Sequence, residues 1–319
     1  MELREGVPRK TPRRMHLERQ DVRAHGRIFS HDLFNIGLAR SDASAAALKA
    51  AGADVLSGTL DDLDILRHGA ASADGVIHLA FKHELSLTGD MVGAAAADLR
   101  AVETMGDALA GTGKPFVVTS GLLALAGLGR IGTEADTREA GPRIDSENAA
   151  VALTKRGVRS SAVRLAPTVH SNLDRHGFIP SLIAMARHHG VSPYVGDGTN
   201  RWPAVHTLDA AHLFRLALES APAGSRLHAA ADQGVAFRDI AAVIGRHLDL
   251  PLVSVSSEQA PAHFGGLSSF VAVDILASSA RTQELVGWRP EHPGLIADLE
   301  QGHYFQSLVS ALRTISASR

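Results

Sequence analysis

Apolar and polar positions follow two alternating rhythms along most of this chain. From residue 35 onward, short apolar runs of strand length alternate with longer alanine-rich stretches of helical period. The runs at residues 35–39, 54–56, 75–79, 115–119 and 160–165 predict strands buried on both faces, because few polar residues interrupt them. Between them, residues 42–51, 60–69, 92–109 and 146–155 predict helices. Gly111-Thr112-Gly113 stops the third helix, and Pro115 opens the next strand. Strands separated by helices of about 10 to 15 residues need crossover connections of one hand, so the chain is predicted to be an α/β protein with a doubly wound parallel sheet.

Residues 1–34 do not share this pattern. Positions 1–27 carry eight Lys or Arg and two prolines with little apolar periodicity, and read as an irregular basic segment. After Pro167 the alternation loosens, which suits a smaller lobe. A length of 319 residues holds one or two closely joined domains. The net charge of −2 gives no reason to expect a nucleic-acid or membrane partner, so the expected partner is a small molecule. The absence of cysteine excludes disulfides, thiolate metal sites and a cysteine nucleophile, and agrees with a cytoplasmic location. No apolar run approaches the roughly 20 residues that span a bilayer, and the first residues lack the apolar core of a secretion signal. Seventeen histidines are present without a His-Glu-x-x-His or comparable set, so no metal is expected.

Several short segments carry more specific information: Gly37-Leu38-Ala39-Arg40-Ser41, His78-Leu79-Ala80-Phe81, Val117-Val118-Thr119-Ser120-Gly121, Arg164-Leu165-Ala166-Pro167-Thr168-Val169-His170 and Trp202-Pro203-Ala204-Val205-His206-Thr207-Leu208-Asp209. In this order, residues 35–305 resemble the extended short-chain dehydrogenase/reductase family, in its NAD-dependent epimerase/dehydratase branch. The resemblance implies a Rossmann-like doubly wound sheet with a smaller C-terminal substrate lobe. Residues 35–170 would form the nucleotide-binding lobe and residues 171–319 mainly the substrate lobe, with 203–230 returning to the first. The implied function is an NAD(P)-dependent oxidoreductase or epimerase acting on a small carbonyl or secondary alcohol.

The same resemblance implies NADP or NAD as cofactor. Arg40 and Ser41 would meet a 2'-phosphate, which favours NADP. Thr59 and Leu60 would lie near adenine, Leu79, Ala80 and Phe81 along the ribose and nicotinamide, and Pro167 and His170 in the loop that covers the nicotinamide. Ser120 would be the active-site serine. The stretch from Tyr194 to Trp202 resembles a hairpin facing the substrate, which assigns Arg201 and Trp202 to substrate. A homodimer through the helices at 92–109 and 146–155 is also implied.

Three positions depart from the family pattern. Its Gly-x-x-Gly-x-x-Gly turn should lie some 20 residues or more before Arg40, at residues 20–23, where no glycine stands; Gly26 and Gly37 are misplaced for it. Residues 27–30 cannot be the missing first strand, because a parallel crossover needs at least about 10 to 12 residues. The expectation is that residues 1–34 lack the central strand and are not the fold's original start. Second, the Tyr-x-x-x-Lys pair is replaced by Arg143 and Glu147. An arginine stays protonated and cannot exchange a proton near neutral pH, so these two are expected to form a helix-surface ion pair. Third, Gly58-Thr59-Leu60 stands where an aspartate often meets adenine.

The candidate catalytic set is therefore Ser120, His83, Arg143 and Glu147. His83, just beyond the strand at 75–79, is placed at the carboxyl edge of the sheet as a substitute acid or base, with Glu84 and Asp98 available to orient it. Tyr194 and Tyr304 are the two tyrosines, and neither lies near the expected helix. The competing reading is a catalytically degenerate protein that binds a dinucleotide or a partner without turnover.

Overall fold

The computed structural model describes residues 13–18 and 33–306. Its strands, in chain order, are β1 (Arg13–Glu18), β2 (Leu33–Ala39), β3 (Asp54–Ser57), β4 (Gly75–His78), β5 (Pro115–Gly121), β6 (Arg159–Leu165), β7 (Thr168–His170), β8 (Ser192–Val195), β9 (Arg201–His206), β10 (Ser225–Ala229), β11 (Asp232–Ala236) and β12 (Leu252–Val255). Seven of them form one parallel sheet in the order β10-β6-β5-β4-β1-β2-β3. β11, β9 and β7 form a second sheet, and β12 pairs with β8. This is the parallel α/β sheet that the alternation predicts, in the Rossmann-like arrangement that the family resemblance implies.

The apolar runs are continuous because both faces of the main sheet are covered. Successive residues of β4 and β5 serve opposite cores: Ile77 and Val117 pack with Val163 and with Leu213 and Phe214 of the helix Thr207–Ser220. Val76, Phe116 and Val118 pack on the other face with Leu66, Val102, Met105 and Leu109. A period of two thus remains, although both sets are apolar. A separate core forms around Trp202, Phe237, Phe264, Ile179 and Ile240 beside the smaller sheets.

The expectation of a missing central strand is corrected by β1. Met15, His16 and Leu17 pair with Asn35, Ile36 and Gly37 of β2 on one side, and with Gly75, Val76 and Ile77 of β4 on the other. Residues 19–32 separate β1 from β2, long enough for a parallel crossover. They include both the phosphate turn sought at 20–23 and the segment 27–30, which lie outside the described residues.

Two helices set the position of the site. Met91–Leu109 buries Ala94, Ala97, Ala101, Val102 and Met105 in one stripe, and Asp98 lies within that stripe. Gly106 lets it approach the end of the helix Ile144–Ala152 closely, since a Cβ there would stand 2.5 Å from Leu153 Cδ1.

Because β1 is hydrogen-bonded on both sides, His16→Pro should remove a ladder donor from the middle of the sheet and cost about 3 kcal/mol or more. Thermal unfolding followed by circular dichroism checks this; an unchanged midpoint would contradict the central placement.

Candidate active site

Side chains fasten the carboxyl ends of β4 and β5 together. The Thr119 hydroxyl donates to the His78 carbonyl at 2.8 Å. His78 is itself buried, and its Nε2 donates to Asp98 Oδ1 at 2.7 Å. Burial alone would raise the Asp98 pKa, but the hydrogen bond and charge of His78, with smaller help from Arg143 and Ser146, hold it below the ordinary carboxylate value.

Arg143 precedes the helix Ile144–Ala152 in a left-handed conformation, φ 64° and ψ −18°. Such a backbone costs a non-glycine residue on the order of 1 kcal/mol, and the side chain makes two contacts that offset it. Nη2 donates to the Thr119 carbonyl at 2.6 Å, and Cζ lies 4.3 Å from the centre of the Phe81 ring. Desolvation lowers the Arg143 pKa, with Asp98 opposing, yet a guanidinium remains charged at any pH the fold survives. His83 opens the short helix His83–Leu87, with its ring edge-on to Phe81 at 5.1 Å. Although the residue is exposed, partial desolvation of the ring and then the Arg143 charge push its pKa below the usual histidine value, against Glu84 and Asp98. Phe81, His83 and Arg143 therefore form one group at the sheet edge, while the expected active-site Ser120 is buried and its hydroxyl bonds Glu147.

Behind this group lies a buried charge network. Glu147 accepts from Arg164 Nη2 at 2.7 Å and Nε at 2.9 Å, and from Arg226 Nε at 2.6 Å. The Glu147 and Arg164 side chains are each 2% exposed, so each depends on the other for its charge. Burial works to raise the Glu147 pKa, and Arg164, the Ser120 hydroxyl and Arg226 outweigh it. Arg164 Nη1 also donates to the Asp136 carbonyl at 2.8 Å and to His228 Nε2 at 3.2 Å. His228 Nδ1 donates to the Ser278 carbonyl at 2.8 Å, which leaves Nε2 as the acceptor.

Several sequence expectations are corrected by these contacts. Arg143 and Glu147 do not pair: Arg143 stands before the helix in a non-helical conformation, while Glu147 faces the sheet where Arg164 and Arg226 emerge. Asp98 holds His78 rather than His83, and Glu84 pairs with Arg40 at 2.5 Å. Trp202 is 1% exposed, its ring 5.3 Å from Phe178 and 5.0 Å from Phe237, so it is core and cannot touch substrate. His170 is fully enclosed and donates Nδ1 to Asp298 at 2.9 Å, which removes it from a cofactor crevice. Leu60 packs in the core under the sheet.

The remaining candidates have local work. Thr59 donates its hydroxyl to Asp62 at 2.8 Å, and Ser41 caps the helix Asp42–Ala50 by accepting from Ser44 N–H at 3.2 Å. Arg201 makes a two-point pair with Asp274 at 3.0 and 2.9 Å and stays half exposed. Leu79, Ala80 and Pro167 are half-buried. Tyr304 donates to Asp174 at 3.1 Å, and burial pushes its phenol far above the usual value.

Sequence reasoning missed the roles of Thr119, His78, Arg164, Arg226 and His228. The available signal was a polar residue inside an apolar pattern: Arg164 interrupts the run of β6, and Asp98 interrupts the stripe of its helix.

A histidine cluster lies where the C-terminal segment meets β7 and β9. The His206 ring stacks on His292 at 4.5 Å and stands edge-on to His170 at 5.6 Å, while His292 Nδ1 meets Asp209 at 2.7 Å. Burial, then the charges His170 and His292 can carry, lower the His206 pKa to about 4, against Asp298 and Asp209. Among the described residues no group of His, Asp or Glu is arranged to hold a metal ion, and no helix is long and apolar enough to cross a membrane.

Among solved structures, the chain superimposes on DesIV, a dTDP-glucose 4,6-dehydratase of Streptomyces venezuelae with NAD and TYD bound, at a TM-score of 0.72 and 17% identity, covering 90% of this chain and 96% of that one. The UDP-glucose 4-epimerase of Thermotoga maritima, with UDP-glucose, gives 0.72 at 14% identity, covering 95% and 99%. MoeE5 with UDP-glucuronic acid and NAD gives 0.67 at 19% identity, covering 90% and 96%. These likenesses define the fold. No family model matches the chain. Uncharacterized protein C2A9.02 of Schizosaccharomyces pombe is 47% identical over 272 residues, 85% of this chain and 91% of the yeast protein. Uncharacterized protein YLL056C of Saccharomyces cerevisiae is 40% identical over 273 residues, 84% and 90% of the two. The chain belongs to the family of these two yeast proteins.

Glu147→Ala should strand the Arg164 charge in the interior and cost about 3–5 kcal/mol, read as a shift in the urea unfolding midpoint. For His206, the folded state favours the neutral ring while the unfolded chain takes up a proton near the ordinary 6.5. Stability should therefore be complete above that value and fall as pH drops toward 4. Unfolding midpoints measured across this range should slope less steeply in His206→Asn.

Proposed function

We propose that the protein binds NAD or NADP along the carboxyl edge of its main sheet and acts as an oxidoreductase or epimerase on a small carbonyl or secondary alcohol. The observation that carries this reading is the convergence of Phe81, His83 and Arg143 at the ends of β4 and β5, on the fold shared with the NAD-bound DesIV and MoeE5 structures. Ligands of open α/β sheets bind at that edge. Two features fit a dinucleotide there: the half-buried run Leu79-Ala80 leading into Phe81, and a covered Arg143 Nε with no protein acceptor.

The nicotinamide would supply or accept the hydride. This chain's residues would do the rest. Leu79, Ala80, Phe81 and Pro167 would line the crevice and exclude water. Arg40, exposed at the end of β2, would reach a 2'-phosphate by exchanging Glu84 for it. His83, with its lowered pKa, is neutral near pH 7 and would take a proton from an alcohol. The second reading, dinucleotide or partner binding without turnover, draws on Glu147, whose carboxylate is committed to Arg164 and Arg226 where the family carries a lysine.

Fluorescence titration with NADPH and NADH tests the first reading, with micromolar binding as the expected outcome. In a carbonyl-substrate screen, His83→Ala should keep that binding and lose turnover by about 100-fold or more. A folded protein that binds neither dinucleotide would defeat it.

A further inference from the structure

We propose that Arg143 is the receptor for a negatively charged substrate oxygen, which makes the substrate a small carboxylate or a carbonyl compound whose oxygen gains charge as it reacts. This deepens the hydride-transfer reading and rests on it for the reaction, while the anion-binding step needs no dinucleotide.

The arginines of this protein differ in how their donors are satisfied. Arg40, Arg164, Arg201 and Arg226 each hydrogen-bond a carboxylate, and Arg138, Arg159 and Arg289 each make two bonds to backbone carbonyls. Arg143 does neither. Among the described residues its guanidinium makes a single hydrogen bond, to the neutral Thr119 carbonyl, and Nε is covered without a protein acceptor. Asp98, the carboxylate whose charge reaches it, has Oδ1 held by His78. A guanidinium presents five N–H donors in a rigid fork matched to planar oxyanions. One of these anchors it to Thr119, and Cζ rests 4.3 Å from the centre of the Phe81 ring. The unspent donors are thus already oriented before any ligand arrives.

The backbone points the same way. A left-handed non-glycine residue persists only where its surroundings over-determine it, and such positions concentrate where ligands are held. His83 shares the Phe81 ring with Arg143 and lies within its electrostatic reach. Arginine cannot release a proton near neutral pH. Two tasks therefore divide between two side chains: Arg143 fixes the oxygen, and His83 exchanges the proton.

Oxalate, a planar dianion, is the probe. The purified chain would be titrated with it while the His83 Cε1–H resonance is followed by NMR, assigned through its loss in His83→Gln. Bound oxalate should offset the Arg143 charge and raise the His83 titration midpoint by about half a unit or more. Arg143→Gln should raise that midpoint without oxalate and weaken oxalate binding about tenfold or more. Arg143→Lys should keep the midpoint low but not restore the affinity, since an ammonium lacks the fork. Unchanged oxalate affinity in a folded Arg143→Gln overturns the proposal, as does a His83 resonance blind to oxalate in the parent chain. If Arg143→Gln does not melt cooperatively, Arg143→Lys decides, and parental affinity in it is the overturning result. Once a substrate is found, a rise in KM for Arg143→Lys at constant kcat assigns the oxygen to a carboxylate; a fall in kcat at constant KM assigns it to the reacting carbonyl. Oxalate binding without NADH or NADPH binding sinks the hydride reading alone, and the reverse sinks the oxyanion site alone.

Discussion

The Glu147–Arg164 pair is the interaction on which the site's arrangement depends. Neither charge could sit at 2% exposure alone, because an isolated ion transferred from water to the interior is too costly to keep. Together they join the helix Ile144–Ala152 to β6, and through Arg226 and His228 to β10. The helix start, and with it Arg143, is thereby held against the end of β5. Remote charge burial sets the place of a residue that the network itself never touches.

The two halves of the edge handle polarity differently. On the Glu147 side every strong charge has an opposite within hydrogen-bond reach, and the carboxyl stays ionised despite burial. On the Phe81 side the cation is matched by a carbonyl and an aromatic face, both neutral. The first arrangement pairs its charges directly, whereas in the second the nearest carboxylate, Asp98, acts on Arg143 through charge without a hydrogen bond. Local electrostatics thus separate the two sides of this edge more sharply than sequence distance does, since Arg143 and Glu147 lie only four residues apart.

The alternation of strands and helices was legible because the main sheet is covered on both faces, so its strands read as uninterrupted apolar runs. β1 was not legible. Its sequence, RRMHLE, has apolar residues only at Met15 and Leu17, and its strand state comes from two flanking ladders rather than from propensity. Within the candidate site, Arg143 and Phe81 could be located by their order along the chain. Burial could not: Trp202 and His170 occupy recognisable positions, yet both face inward, a property fixed by the packing of Phe178, Phe237 and Asp298 around them. The partnership of His78 with Asp98 spans two elements, and only tertiary contact reveals it.

The order of strands in the main sheet has a consequence for how the chain is made. β1 leaves the ribosome first, but its second neighbour, β4, begins only at Gly75, and the edge strand β10 ends at Ala229. β7, β8 and β9 are all synthesised before β10 arrives. During elongation the growing polypeptide therefore holds a partly built sheet whose β6 edge stays open while strands of the other sheets emerge beside it. Such an edge offers unpaired amides and carbonyls to any neighbouring strand, so the β6 edge is open to mispairing until residues 225–229 have been made.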